Sequence, residues 1–154
     1  MDKIKLNFVN KSTNPDPEFG KIGDSGFDLR AWITGAEPFI TLKPLERVLI
    51  HTGLYFDIPK GMEIQVRARS GMALKRGLGV LNAPATIDSN YTGEICVIAV
   101  NFSNEDIVIE NGERIVQGVL CPVYGGWITD LTKVDDLNKV TERGSDGFNS
   151  TGSK

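Results

Sequence analysis

The amino-acid sequence predicts an all-β protein with one short helix, and three observations lead to this prediction. Apolar and polar residues alternate along several segments, as they do in strands that turn one face to a core. Turn-forming residues separate these segments at short intervals, and the 154 residues include 17 glycines and 7 prolines. Only residues 70–76 carry a helical pattern. Many short strands with a single helix predict a compact sandwich, jelly roll or barrel.

The strands are predicted from alternation first and from short apolar runs second. Residues 4–8 and 62–68 alternate strictly between apolar and polar side chains. Further strands are expected at residues 39–42, 47–50, 54–58, 107–110 and 114–123. Residues 95–102 are apolar on both faces, which predicts a central strand covered on each side.

The junction between a predicted strand and the predicted helix is the first candidate site. Ser70 is expected to cap the helix and Gly77 to end it. Arg67 and Arg69 lie on the polar face of the strand, so the junction offers cations and backbone N–H groups to an anion. A capped helix that follows a strand with solvated arginines explains the same residues, and both interpretations stay open.

Residues 81–94 are the second candidate, because they are expected to form a hairpin with residues 88–90 as its turn. Asp88 is then either a residue of the turn or a carboxylate at the lip of a pocket. Tyr91 is either a cross-strand packing aromatic or a platform under a sugar.

The C-terminal tail, residues 141–154, is the third candidate. It is rich in glycine and serine, and it carries Arg143, Phe148, Ser150 and Thr151. Glycine-rich backbone, hydroxyls and a guanidinium suit a phosphate, and the aromatic ring suits a nucleobase. The alternative is a frayed terminus with no task.

Charge and composition exclude several classes of protein. The formal net charge of −3 argues against a general binder of nucleic acids or anionic membranes. No apolar run approaches the roughly 20 residues that span a bilayer. The N-terminal residues resemble neither a signal nor a transit peptide, so a cytoplasmic protein is expected. Cys96 and Cys121 are accordingly expected to be reduced and buried.

Few metal sites suit this sequence. One histidine, His51, and two distant cysteines lack the spacing of an ordinary zinc site, and they form no evident nucleophile with a catalytic base. His51 is expected to be a packed or surface side chain. Any metal is expected to be a hard ion carried by the phosphates of a substrate, such as Mg²⁺.

Five motifs, taken in order, resemble the trimeric dUTP pyrophosphatases (dUTPases), and the resemblance covers nearly the whole chain. The motifs are Ser25-Gly26-Phe27-Asp28-Leu29-Arg30-Ala31, Arg69-Ser70-Gly71, residues 82–94 around Ile87-Asp88-Ser89-Asn90-Tyr91, Gly112-Glu113-Arg114-Ile115-Val116-Gln117, and Arg143-Gly144-Ser145-Asp146-Gly147-Phe148-Asn149-Ser150-Thr151-Gly152. The resemblance implies one domain over residues 1–154 with a jelly-roll-like β-barrel and a mobile C-terminal tail. It also implies a homotrimer that hydrolyses dUTP to dUMP and pyrophosphate. This reaction removes dUTP and supplies dUMP for thymidylate synthesis.

The resemblance also implies a role for each site residue. Asp88 is the general base that activates water at the α-phosphorus, and Tyr91 supports the deoxyribose. Asp28 binds Mg²⁺ through water. The remaining residues bind substrate: the uracil pocket is lined by Asn82, Thr86 and Ile87; the phosphates are held by Arg69, Ser70, Gly71 and Gln117; and the tail of a neighbouring subunit adds Arg143, Phe148, Ser150 and Thr151.

The sequence departs from the family pattern at several positions. Ala85, Asp146 and Asn149 stand where the family has glycine, and Thr92 follows the tyrosine where arginine is frequent. Gly118 is unusual after Gln117. Asp146 places a carboxylate in the segment expected to receive a phosphate. Two other functions share this scaffold: a relative of the dCTP deaminases, and a regulatory protein that senses nucleotides without hydrolysing them.

Overall fold

The computed structural model describes residues 3–145 and 147. They fall into two units, of which the first ends at Tyr124 and the second begins at Gly125. The first unit contains β1 (Asn7–Asn10), β2 (Gly26–Arg30), β3 (Phe39–Leu42), β4 (Arg47–His51), β5 (Leu54–Asp57), β6 (Met62–Ala68), α1 (Ser70–Arg76), β7 (Leu78–Val80), β8 (Ala85–Asp88), β9 (Cys96–Asn101), β10 (Ile107–Glu110) and β11 (Arg114–Pro122).

All described strand pairs are antiparallel, and they form four sheets. The largest has the order β2-β11-β6-β8, and a three-stranded sheet has the order β4-β9-β7. The two smaller sheets pair β1 with β5 and β10 with β3. The hydrogen-bonded ladder is therefore divided among separate sheets in the described part of the chain and does not run continuously around a barrel. The predicted all-β class with one short helix is confirmed.

The core is formed by side chains that alternate along the strands with exposed polar ones. Along β6, Ile64 and Val66 are fully buried, while Arg67 is exposed. The largest fully buried apolar side chains are Leu29, Leu42, Ile50, Ile64, Val66, Leu78, Ile95, Val97, Ile109, Ile115 and Val116. This alternation places the polar residues of the four-stranded sheet together on its outer face.

Most strand predictions match the structure to within one residue, and two differ. The first strand begins at Asn7 rather than at residue 4, and Ile4 is 58% exposed. The expected hairpin over residues 81–94 is wrong, because β8 pairs with β6 and residues 91–94 form no strand. The prediction of a central strand is confirmed, since β9 lies between β4 and β7.

The helix occupies the predicted residues, but its first turn is not capped as expected. Arg69 is the N-cap residue, with extended backbone and no side-chain capping bond, and Ser70 is already helical. The prediction of Ser70 as the cap is therefore wrong. Gly77 ends the helix in the left-handed conformation with φ 72°, as predicted.

The described part of the second unit, residues 125–145 and 147, contains turns, and the rest of it has no regular secondary structure. The backbone N–H groups of Ile128 and Thr129 both donate to Gly125 O at 3.0 Å. Its exposed large apolar side chains are Trp127, Ile128, Leu131, Val134, Leu137 and Val140. Across the described residues, no helix has the length and apolar character needed to cross a membrane.

Candidate functional site

Three of the predicted binding residues meet at one end of the four-stranded sheet. Gln117 lies opposite Asp28 in the register of β11 with β2, so both side chains occupy one face. Asp28 Oδ1 is 2.8 Å from Arg69 Nε, and Gln117 Nε2 donates to Ala68 O at 3.0 Å. The structure thus joins residues of the first, second and fourth motifs.

Arg114 completes this cluster, although the sequence analysis did not assign it a role. Its Nη1 is 3.3 Å from Asp28 Oδ2, and its carbonyl oxygen accepts a hydrogen bond from Arg69 Nη1 at 2.8 Å. Arg114 starts the strand that carries Gln117, but only the pairing of β11 with β2 brings it to Asp28. One carboxylate is therefore flanked by two guanidinium groups.

The backbone approaches this cluster closely at Gly26. A Cβ atom at this position would lie 2.6 Å from Gln117 Oε1 and 3.3 Å from Gly118 O. A larger residue would therefore displace the Gln117 amide. Space, rather than the backbone angles, therefore favours glycine at this position of the first motif.

A cavity of about 320 Å³ borders the cluster. Its charged lining residues are Asp16, Glu18, Asp24, Asp28, Arg30 and Arg114. The other lining residues are Pro15, Pro17, Gly20, Ser25, Gly26 and Gln117. The cavity thus mixes carboxylates with guanidinium groups, as a site for an anion accompanied by a cation requires.

The residues of the third motif form a second group. Asp88 ends β8, and the backbone N–H of Tyr91 donates to Asp88 O at 3.0 Å, which closes the turn that was predicted here. The Tyr91 hydroxyl donates to Glu94 O at 2.9 Å, and the residue is 46% exposed. Asp88 and Thr86 are exposed, and Ile87 packs its side chain against the core.

The two groups lie at opposite ends of β6 within one chain. Asp88 pairs with Glu63 near the start of β6, whereas Arg69 follows its last residue. Glu63 and Arg69 are six positions apart along the chain, which corresponds to about 20 Å in a strand. Asp88 and the Arg69 cluster of one chain therefore do not act on the same phosphate.

The remaining predicted site residues are either exposed or lie outside the described residues. Ser70 and Gly71 are exposed in the first turn of α1, and Asn82 is exposed in the loop before β8. Arg143 is exposed in the second unit. Phe148, Ser150 and Thr151, with Asp146 and Asn149, lie outside the described residues.

A third group of polar side chains surrounds Glu94. Its Oε1 accepts hydrogen bonds from the backbone N–H groups of Thr52 at 3.1 Å and Gly53 at 2.7 Å, and its Oε2 is 2.9 Å from His51 Nδ1. Burial raises the pKa of this carboxyl, but the hydrogen bonds and the charge of His51 together lower its pKa below the usual value. The sequence contains no signal for this group, because its members come from β4, the loop after it and the start of β9.

Cys96 lies in the same group. Burial, followed by the nearby Glu94 carboxylate, raises the pKa of its thiol to about 11. Cys96 and Cys121 are both free thiols, as predicted, but both are half-buried rather than buried.

Comparison with known proteins identifies the family of this chain. The family model described as dUTPase matches residues 13–152. This chain belongs to the dUTPase family. Its curated relatives include deoxyuridine 5′-triphosphate nucleotidohydrolases of Finegoldia magna (46% identical, covering 97% of this chain and 99% of the relative) and Treponema denticola (51% identical, covering 88% and 90%).

Solved dUTPase structures share the fold. The dUTPase of Staphylococcus bacteriophage 80alpha with dUPNHPP matches with a TM-score of 0.83 and 26% identity, covering 97% of this chain and 99% of that one. The predicted family and dUTPase-like jelly-roll fold are thus confirmed.

Proposed function

We propose that this chain hydrolyses dUTP to dUMP and pyrophosphate, with Asp88 as the general base. The observation that carries the proposal is the turn after β8, which holds an exposed carboxylate and an exposed aromatic ring together in a chain of the dUTPase family. Asp88 accepts a proton from water as the water oxygen attacks the α-phosphorus. The bond between this phosphorus and the bridging oxygen breaks, and pyrophosphate leaves.

The nucleoside is recognised by β8 and the residues that flank it. β8 is the last strand in the order of its sheet, so the edge that faces away from β6 offers backbone donors and acceptors. The backbone of Thr86 and Ile87, with the Asn82 side chain, lines the uracil pocket. A bound base covers these groups, and a base with the wrong hydrogen-bonding pattern leaves them unpaired, which costs affinity. Tyr91 supports the deoxyribose and excludes a ribose 2′-hydroxyl.

The phosphates are bound by the cluster around Arg69, together with Ser70, Gly71 and Gln117. Mg²⁺ fits beside Asp28 as an ion bound through water. Each Asp28 oxygen already interacts with an arginine, but a carboxylate oxygen accepts a further hydrogen bond from a hydration water. When bound, Mg²⁺ neutralises charge on the phosphates and on the leaving pyrophosphate. The two guanidinium groups beside Asp28 disfavour direct coordination, because they compete for the same lone pairs.

The complete site is shared between subunits of a homotrimer. The separation of about 20 Å between Asp88 and Arg69 along β6 supports this arrangement, because one chain alone does not bring base and phosphate ligands together. The tail, residues 141–154, closes a neighbour's site, with Phe148 over the uracil and Arg143, Ser150 and Thr151 at the γ-phosphate. The exposed apolar side chains of residues 127–140 support contact with another chain.

A cytoplasmic location belongs to the same proposal. The free thiols Cys96 and Cys121 suit a reducing compartment. There the reaction would remove dUTP and supply dUMP for thymidylate synthesis.

The test is pyrophosphate release from dUTP, dCTP, dTTP and UTP, measured for the wild type and for Asp88→Asn. We expect turnover of dUTP alone, and a loss of kcat of at least about 100-fold in the variant, because asparagine keeps the shape of the base but accepts no proton. Binding of a non-hydrolysable dUTP analogue is expected to change little. Asp106→Asn, which changes an exposed carboxylate in the loop before β10, is the matched control and keeps full activity.

Other outcomes identify the other functions of this scaffold. Release of ammonia from dCTP would indicate a dCTP deaminase relative. Tight binding of the analogue without release of pyrophosphate from any nucleotide would indicate a regulatory nucleotide sensor. A variant Asp88→Asn that keeps more than about a tenth of kcat would exclude Asp88 as the base.

A further inference from the structure

Three metal-ligating side chains of different chemistry meet outside the proposed nucleotide site. His51 and Cys96 are direct cross-strand partners in the pairing of β4 with β9. Glu94 precedes Cys96 by two residues and projects toward the same imidazole. His51 Nδ1, a Glu94 oxygen and Cys96 Sγ all lie within 4.8 Å of one another.

The distances within this group suit a tetrahedral ion. Zinc bonds of about 2.0 Å to nitrogen and oxygen and about 2.3 Å to sulfur give ligand separations of about 3.5 Å for N and S and about 3.3 Å for N and O. His51 Nδ1 is 3.6 Å from Cys96 Sγ and 2.9 Å from Glu94 Oε2. The N–S separation already fits, and the N–O separation needs to open by about 0.4 Å, since the ion replaces a hydrogen bond.

Backbone hydrogen bonds hold the Glu94 carboxylate in place. Glu94 Oε1 accepts the N–H groups of Thr52 and Gly53, which leaves Oε2 directed at the imidazole. The Thr52 hydroxyl is buried and donates to Ile95 O at 2.6 Å, so this segment is held to the start of β9. Hydrogen bonds of this kind orient a ligand before the ion arrives and strengthen its binding.

We propose that His51, Glu94 and Cys96 form a binding site for a thiophilic divalent cation of the zinc class. Thiolate and imidazole donors favour such an ion over Mg²⁺, which prefers oxygen ligands. The Cys96 proton passes to solvent when the thiolate coordinates the ion. The His51 side chain is 55% exposed, so water reaches the fourth position. This site is independent of the proposed dUTP hydrolysis.

The test uses Co²⁺ as a spectroscopic substitute for zinc on the metal-free full chain in a non-chelating reductant. We expect one Co²⁺ per chain, with the visible bands of a tetrahedral ion and a near-ultraviolet band from charge transfer between thiolate and metal. Zn²⁺ is expected to displace it. Cys96→Ser removes the charge-transfer band, and His51→Ala weakens binding at least about tenfold. Cys121→Ser is the matched control, because it removes the other thiol and keeps the band.

Glu94 also accepts hydrogen bonds from the backbone of Thr52 and Gly53, so Glu94→Gln affects folding as well as metal binding. The contribution of the ligands to metal binding is therefore measured with His51→Ala. His51 is exposed, so its replacement leaves the fold intact. A charge-transfer band that survives Cys96→Ser or disappears in Cys121→Ser would overturn the proposal. So would Co²⁺ binding that His51→Ala does not weaken, or no binding at micromolar Co²⁺.

Discussion

Two contacts within residues 91–94 position the Tyr91 side chain. Its hydroxyl donates to Glu94 O, and a Cβ atom at Gly93 would lie 2.9 Å from its Cε2. The ring therefore lies over a glycine, and a larger side chain at position 93 would displace it. Tyr91→Ala removes both the ring and the hydroxyl, whereas Tyr91→Phe removes only the hydroxyl, so the two variants distinguish the contributions of these groups.

We expect Tyr91→Ala to lower turnover of dUTP and to reduce discrimination against UTP by about tenfold or more, because no ring then excludes the ribose 2′-hydroxyl. Tyr91→Phe keeps the ring and is expected to keep most of this discrimination. The measurement is kcat/KM for dUTP and UTP with each variant. Equal discrimination in Tyr91→Ala and the wild type would mean that another group excludes the ribose.

Glu94 predicts a pH dependence of stability. Its pKa in the folded chain lies below the usual value, since hydrogen bonds and His51 outweigh burial. A carboxyl with a lowered folded pKa stabilises the fold above its unfolded pKa, near 4.5. That stabilisation is lost as the pH falls through the folded pKa.

Glu94→Gln is therefore expected to be less stable than the wild type at pH 7 and closer to it at pH 3. Urea unfolding of both proteins at the two pH values, with chelator present, measures the difference in free energy. His51→Ala serves as a control for the contribution of the imidazole. A stability difference that grows toward acid pH would contradict the assigned direction of the pKa shift.

At the scale of the secondary-structure element, α1 depends on the glycine that ends it. Gly77 has φ 72°, and a Cβ atom there would lie 2.9 Å from both Cβ and N of Ser103. Gly71, in the first turn of the same helix, would bring its Cβ within 4 Å of no described neighbour. The two glycines thus differ in both backbone angle and space.

We expect Gly77→Ala to destabilise the protein by more than about 1 kcal/mol, because alanine is strained at this φ and collides with the backbone of Ser103. Gly71→Ala is expected to be neutral or stabilising by up to about 1 kcal/mol, since alanine favours the helix. Thermal and urea unfolding of both variants tests this. Equal destabilisation by the two would show that the backbone angle at Gly77 is unimportant.

Local patterns in the sequence predicted the bounds of the strands better than they predicted which strands pair. Strict alternation identified β6 with its bounds, because each buried side chain is two residues from the next. Residues 85–88 were assigned to a hairpin, yet they pair with β6, about 20 residues earlier in the chain. Glu94 was expected in the second strand of that hairpin. Its carboxylate instead accepts hydrogen bonds from the backbone of Thr52 and Gly53. Pairing between distant strands has no local signal.

The residues of the candidate site were likewise predicted individually, but their arrangement depends on the pairing of distant strands. The motifs identified Asp28, Arg69 and Gln117, but only the order β2-β11-β6 brings them together and adds Arg114. Ser70 was expected to cap α1, yet β6 runs to Ala68 and leaves Arg69 as the single link to the helix. The Arg69 side chain is then directed at Asp28 rather than at solvent.

At the scale of the whole molecule, the separation of Asp88 from Arg69 predicts complementation between chains. Asp88→Asn and Arg69→Ala are each expected to be nearly inactive alone. In mixed oligomers refolded from equal amounts, a shared site takes an intact Asp88 from one chain and an intact Arg69 from another. Random assembly gives this combination in about a quarter of the sites.

Pyrophosphate release from the mixture measures this recovery, and chains with different affinity tags verify that mixed oligomers form. Each variant refolded by itself is the control. No recovery in verified mixed oligomers would mean that base and phosphate ligands come from one chain, against the separation along β6.

The proposed division of the site between chains also has an evolutionary consequence. Suppose the gene is duplicated and both copies are expressed together. One copy then loses Asp88 and the other loses Arg69, each by a single substitution. Neither product alone forms a complete site, yet together they retain about a quarter of the sites, so selection preserves both genes. Two single substitutions, about 20 Å apart along β6, would thereby convert the proposed homotrimer into an obligate heteromer.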